Sequence, residues 1–267
     1  MKLWDDHTQR VIETLSYTND VVGVRFRNDK LVVVLINKVY VYNFADMTLI
    51  DCIETSHNPE GLCELNPDTT VGVLAIPDKE DGGVRVRVYS QVISSGQGVD
   101  HLYPAAHKTP VTTLALTRNG EYLATAGQSG TKVKIWSTNI QEGEVPAPIY
   151  TVRRGLDKAE IRALVFSKSN KYLAASSDHA TVHVFKLPMD ENGQLDATKA
   201  EEVKETNNTS MMLKIFAKFS SLPLSYARWQ IETQGQKKYL AFNEEETQLL
   251  IATKGNHYFT LPIQPGD

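Results

Sequence analysis

"VTTLALTRNGEYLATAGQSGTKVKIWS", residues 111–137, decides the fold once it is laid beside "IRALVFSKSNKYLAASSDHATVHVFKL", residues 161–187. Each stretch opens on an apolar strand and turns at a polar triplet, "RNG" in one and "KSN" in the other. Each then runs through "YLA" into small residues, turns again, and resumes at a Thr with an alternating strand that reaches an aromatic, Trp136 or Phe185. Period-two alternation between turn signals is the mark of half-buried strands. A pattern that returns within one chain marks a repeat architecture.

Worn copies extend the repeat outward. They are "VVGVRFRNDKLVVVLINKVYVYNF" (21–44), "PEGLCELNPDTTVGVLAIPDKEDGGVRVRVYS" (59–90) and "SYARWQIETQGQKKYLAFNEEETQLLIATKGNHYFTLP" (225–262). The period is roughly 40–50 residues with about four strands per unit, as in WD40-type β-propeller blades. The expected fold is therefore all-β, a single WD40-type β-propeller domain over 1–267. About five blades are recognisable, at roughly 1–50, 57–103, 107–152, 158–220 and 223–262. Three segments interrupt the period: a polar linker at 138–149, a Ser/Gly turn at 91–100, and a long acidic stretch at about 188–210. So long a loop in a compact domain is functional or disordered. The stretch 197–219 is the best helix candidate, and a weak one.

Composition bounds the function. A hydrophobic share of 41% and a charged share of 22% suit a globular chain with a core. The formal net charge is −4, so an anionic partner would have to be met by a local patch, and no nucleic-acid partner is expected. Two cysteines outside any CxxC pair point to a reducing, cytoplasmic setting. The first ten residues do not read as a signal peptide, and no apolar run reaches the length of a membrane helix. No Walker loop, HExxH or GxSxG elbow is present, and "SSGQG" (94–98) reads as a turn because no helix follows it. The seven histidines show no metal-ligand spacing. Neither a catalytic residue, a metal nor a cofactor is expected.

One stretch stands out, "YTVRRGLDK" (150–158). Arg153 and Arg154 adjoin at the end of a strand, where consecutive side chains point to opposite faces. Near them in the repeat lie His107, Thr125, Thr131 and Lys134 from one unit, and Ser176, Ser177, Thr181 and His183 from the next. Guanidinium groups fork onto phosphate oxygens, and hydroxyls and imidazoles add directional donors. Two phosphate sites, one on each side of the pair, are the chemical reading. Other readings stay open: an Arg-Arg pair in a solvated turn, a His107 bonded within its own blade, and hydroxyls that cap strand ends.

"VRRGLDKAEIRALVFSKSNKYLAASSDHATVHVF" (152–185) resembles the hallmark segment of the PROPPIN (WIPI) family of phosphoinositide-binding propellers. The matching positions are Arg153-Arg154-Gly155, then Asp157, Ala159 and Ile161, then Ser176-Ser177-Asp178 and Thr181 through Phe185. "LWDD" (3–6), "NPEGLCELNP" (58–67) and "AAHKTPVTTLAL" (105–116) are similar to family segments in the same order. The resemblance implies a seven-bladed propeller with two head-group sites for phosphatidylinositol 3-phosphate and phosphatidylinositol 3,5-bisphosphate. It implies that Arg153 serves a first site with His107, Thr131 and Lys134. Arg154 serves a second with Ser176, Ser177, Thr181 and His183. It further implies a peripheral membrane scaffold at autophagosome precursors, endosomes or vacuoles, with autophagy-related protein partners.

The chain departs from the pattern at Val152, in place of an aromatic or Leu. It departs again at Gly127, where a Ser is frequent, and at Ser129 and His179, where a Lys is common. It begins near what would be the end of the family's second blade, which suggests a truncated form or a shorter ring. Met211, Met212, Leu213, Ile215 and Phe216 are either a membrane wedge or the next strand. The rival to a lipid effector is a WD40 protein–protein scaffold whose lipid sites have decayed.

Overall fold

Val, Ile, Tyr and Leu at alternating positions draw these segments into strands, and the polar triplets between them turn the chain back. The structure, a computed structural model, describes residues 1–68, 71–90, 98–141, 144–196, 198, 225–231 and 236–263. A two-stranded ribbon comes first, β1 (Lys2–Asp5) and β2 (Arg10–Thr14). The first sheet holds β3 (Val21–Phe26), β4 (Lys30–Leu35), β5 (Lys38–Asn43) and β6 (Leu49–Glu54). The second holds β7 (Glu64–Leu65), β8 (Val71–Pro77), β9 (Val84–Ser90) and β10 (Val99–Tyr103). The third holds β11 (Val111–Leu116), β12 (Tyr122–Gly127), β13 (Lys132–Ser137) and β14 (Tyr150–Arg153). The fourth holds β15 (Ile161–Phe166), β16 (Tyr172–Ser177), β17 (Thr181–Lys186) and β18 (Ala227–Gln230). The last holds β19 (Lys238–Phe242), β20 (Gln248–Thr253) and β21 (Tyr258–Pro262). Within every sheet the strands pair antiparallel in chain order, and no α-helix occurs among the described residues.

The sheets meet through their first strands. β3 touches β7, β7 touches β11, β11 touches β15, and β15 touches β19. Neighbouring sheets then enclose a separate apolar layer between each pair. Val32, Val34 and Ile53 meet Leu74, Ile76 and Tyr89, and Val84, Val86 and Tyr103 meet Leu114, Leu123 and Trp136. Ala124, Ile135 and Val152 meet Ile161, Leu173 and Phe185, and Val182 and Val184 meet Leu249 and Ile251. The second strand of each four-stranded sheet is consequently buried on both faces, as in the unbroken burial of β12. Leu123 is fully buried, and truncating it to Ala would cost about 2–5 kcal/mol.

The two stretches compared in sequence are the same object in space. Gly120 N–H donates to Thr117 O, and Asn170 N–H donates to Ser167 O. Their φ values are 78° and 62°, so the left-handed turn position falls to the two residue types that tolerate it best. Both sheets carry the same irregularity near the start of the first strand, between Val111 and Thr113 and between Ile161 and Ala163.

The unit limits differ from the sequence reading in two places. The span 1–50 divides into the ribbon and a sheet that ends at Glu54. The stretch Ala227–Gln230, read as the opening of the last unit, instead pairs with Thr181–Val184 and completes the fourth sheet. The helix candidate at 197–219 and the apolar group Met211–Phe216 lie outside the described residues, apart from Thr198. The start of the long loop is described. It folds into a small turn with Met189 bridged to Leu195, both packed on the core between the third and fourth sheets, and Leu195 N–H donates to Tyr122 Oη at 3.1 Å.

Candidate functional site

Alternation along β14 separates the two arginines. Tyr150 and Val152 point into the core shared with the fourth sheet, which turns Thr151 and Arg153 to the opposite face. There Arg153 stands directly across from Lys132, and Thr151 across from Lys134. Lys134 in turn faces Thr125 of β12. Arg153, Lys132 and Lys134 thus share the face on which Trp136 packs toward the second sheet. Like charges directly opposite on a ladder repel one another.

Donors around this first site are largely engaged within the fold. His107 Nε2 bonds Thr125 Oγ1 at 2.8 Å, and Trp136 Nε1 donates to the same oxygen at 2.9 Å. This is the within-blade bonding left open for His107. Burial and the Lys134 charge push the His107 imidazole down to about 4, so it is neutral at physiological pH. Lys134 Nζ donates to Ala106 O at 2.6 Å and lies 5.5 Å from the Trp136 ring centre. Thr131 offers its carbonyl to Arg154 N–H at 2.9 Å. A Cβ at Gly127 would come within 2.9 Å of His107 Cβ, so the imidazole fills the space a larger residue would need. Lys132, absent from the sequence reading, is the exposed cation of this face.

Arg154 leaves the strand and turns between the third and fourth sheets. It is 8% exposed; its Nε donates to Gly130 O at 2.7 Å and its Nη2 to Asp157 O. These carbonyls fix the plane of the guanidinium without neutralising it. Gly130, at φ 56°, makes the approach possible, because a Cβ there would lie 1.6 Å from Ala159 O. Burial and Arg228 lower the Arg154 pKa, while Asp178 and Asp157 raise it.

Facing Arg154 is the fourth sheet. Leu173 and Ala175 of β16 and Phe185 of β17 point toward the third sheet, so Ser177, Thr181 and His183 share that face. Ser176 does not. It pairs with Val182 and sits on the side of Ala174, toward the last sheet, because adjacent strand residues cannot share a face. The second group therefore comes together as Arg154, Ser177, Thr181 and His183, without the Ser176 side chain.

His183 is 3% exposed and stacks on Phe185 with ring centres 6.2 Å apart. Burial, then Arg154 and Arg228, push its imidazole down to about 3. Both ring nitrogens and Ser177 Oγ are buried without a hydrogen-bond partner among the described residues. Such groups cost about 1–3 kcal/mol each when left unmade, and they leave hydrogen-bonding capacity beside Arg154. Two further cations adjoin the site and were missed from sequence. Arg228 stands directly across from His183 on β18. Lys238, reaching from the last sheet, donates Nζ to Ser177 O and His179 O, each at 3.2 Å.

Antiparallel sheets stacked through their first strands define the class, a β-propeller of the WD-repeat kind. The chain belongs to the PROPPIN family, whose profile matches residues 1–230. SVP1-like protein 2 of Emericella nidulans is 37% identical over 191 residues, covering 71% of this chain and 55% of that protein. Autophagy-related protein 18e of Arabidopsis thaliana is 32% identical over 70% of this chain and 47% of its own length. WD repeat domain phosphoinositide-interacting protein 1 of Xenopus laevis is 28% identical over 94% of this chain and 58% of its own. The chain thus spans about half the length of these relatives. Among solved structures, Kluyveromyces lactis Hsv2 superposes with a TM-score of 0.70 at 20% identity, covering 98% of this chain and 78% of that one. A complex of KlAtg21 with the coiled-coil of AgAtg16 gives 0.72 at 18%, covering 100% and 73%. At these identities the likeness concerns the fold.

Proposed function

We propose that the chain is a phosphoinositide effector and not an enzyme. In this reading it binds phosphatidylinositol 3-phosphate and phosphatidylinositol 3,5-bisphosphate through two head-group sites that flank Arg153 and Arg154. It acts as a peripheral membrane scaffold in autophagy and in endosomal or vacuolar traffic. The observation that carries this reading is the pair of adjacent guanidiniums turned to opposite faces, each beside further cations and, at Arg154, beside buried donors without partners. Phosphate monoesters offer three acceptor oxygens and two charges to such a set. The Xenopus relative's name speaks of phosphoinositide interaction, and the Arabidopsis relative's of autophagy. In this reading the chain also takes a protein partner, as KlAtg21 takes the coiled-coil of AgAtg16 in its solved complex.

Flotation tests the reading. Vesicles of phosphatidylcholine would be compared with and without phosphatidylinositol 3-phosphate, the 3,5-bisphosphate or unphosphorylated phosphatidylinositol. Only the phosphorylated lipids should carry the protein upward, and Arg153→Ala/Arg154→Ala should stay behind while retaining its β-sheet circular dichroism. A folded wild type that ignores all four membranes would leave the second reading, a protein–protein scaffold with decayed lipid sites. That alternative is favoured by one observation, the commitment of His107 Nε2 and Lys134 Nζ to bonds inside the blade.

A further inference from the structure

The third and fourth sheets have matching strand order and register, and their ladders give the correspondence residue by residue. Leu123 pairs with Trp136 as Leu173 pairs with Phe185, and Thr125 pairs with Lys134 as Ala175 pairs with His183. His183 therefore occupies the place of Lys134. On the outer strands, Lys134 pairs with Thr151 as His183 pairs with Arg228. The cation and its neutral neighbour have exchanged strands. In the third sheet the cation is on β13 and the neutral residue on β14. In the fourth the neutral residue is on β17 and the cation on β18.

We propose that Arg228 is the second cationic ligand of the Arg154 site, filling for an inositol phosphate head group the part that Lys134 has the position to fill beside Arg153. The proposal rests on the reading of the Arg154 site as a head-group site. Cross-strand partners on one ladder project to the same face with their Cβ atoms about 5 Å apart. Arg228 therefore points to the side that holds His183, Thr181 and Ser177. Its field reaches both the His183 ring and the Arg154 guanidinium. It is exposed, whereas Arg154 is buried, so one cation stands at the inner end of the site and one at the solvent side. Asp178 is the acidic group acting on Arg154 from the fourth sheet, with Asp157 beside the turn. Neither forms an ion pair with Arg228 among the described residues. An anion between Arg154 and Arg228 would relieve their mutual repulsion and give the His183 nitrogens and Ser177 Oγ an acceptor or donor.

The His183 ring reports on this site alone. Titration of the full chain with inositol 1,3-bisphosphate, followed by the imidazole nitrogen–proton NMR correlation of His183, separates the possible failures. In the wild type the signal should shift saturably. Arg228→Gln should weaken the apparent Kd about tenfold, the scale of one charge-assisted contact. Arg228→Lys should recover part of that loss, and Lys171→Gln, an exposed cation at the opposite end of the fourth sheet, should titrate like the wild type. A His183 signal unmoved in the wild type would overturn the head-group reading of the Arg154 site. A wild-type response abolished by Arg154→Gln but unchanged in Arg228→Gln would overturn the role of Arg228 alone.

Discussion

The Arg153 face and the Arg154 face are built from one repeat and solve the same electrostatic problem differently. On the first, three cations lie on one sheet face, His107 and Trp136 are bonded to Thr125 Oγ1, and Lys134 Nζ donates to Ala106 O. On the second, the arginine is buried and held by two carbonyls, and the donors around it are buried and unmade. A half-buried cluster with one exposed cation, Lys132, attracts at a distance and is weakened by salt, whereas a more fully desolvated site gains more from each contact. For the two proposed head-group sites, the contrast predicts encounter on the Arg153 side and tight, geometry-dependent contact on the Arg154 side.

The largest effect should come from removing both arginines. Two charge-assisted sets worth about 1.5–3 kcal/mol each, acting on one membrane, predict a loss of vesicle binding of about a hundredfold or more. Each single replacement should cost more than half of the binding, and binding lost through Arg153→Ala should be the more salt-sensitive of the two. Equal salt slopes for both single variants would break the contrast.

Next is Gly130→Ala. Its Cβ would meet Ala159 O, and φ of 56° disfavours any side chain. Stability should fall by about 3 kcal/mol in urea titration. Because Gly130 O accepts from Arg154 Nε, head-group binding at the Arg154 site should weaken even where the protein remains folded.

A pH effect follows. His183 is depressed to about 3 in the folded chain, below its unfolded value near 6.5. Above pH 7 it is neutral in both states and contributes nothing to the pH dependence. As pH falls below 6.5 the unfolded chain takes up a proton that the folded chain refuses, so stability declines through the window from 6.5 to about 3. At pH 5 the loss is about 2 kcal/mol. His183→Gln should remove that part of the acid sensitivity, measured as the difference in unfolding free energy between pH 7 and pH 5.

The smallest effect sharpens the comparison most. Lys132→Gln relieves the opposition of two like charges and should stabilise the folded chain by a few tenths of a kcal/mol. The same change should reduce vesicle binding at low salt. Opposite signs for stability and binding would mark Lys132 as held in place by function.

Much of this was legible in the residues. The repeat, the turn triplets and the placement of Arg153 and Arg154 on two faces follow from strand alternation, a local property with period two. Alternation was also enough to separate Ser176 from Ser177 and to align Lys132 with Lys134, although the side-by-side sequence invited grouping the serines. His107 could be narrowed to two roles, and only the tertiary structure shows its Nε2 bonded to Thr125 Oγ1.

Long-range pairing was not legible. "YARWQIE" has the pattern of a strand wherever it is placed, and nothing local says that it returns across a long connection to close the fourth sheet. That pairing alone brings Arg228 opposite His183, just as the stacking of the last sheet alone brings Lys238 against Ser177 and His179. The amino-acid sequence by itself determined the strands, their faces and the double arginine. The tertiary structure decided which distant cations join each arginine, because strand pairing is set by which edge is left open and which apolar face must be covered, and both depend on the assembled sheets.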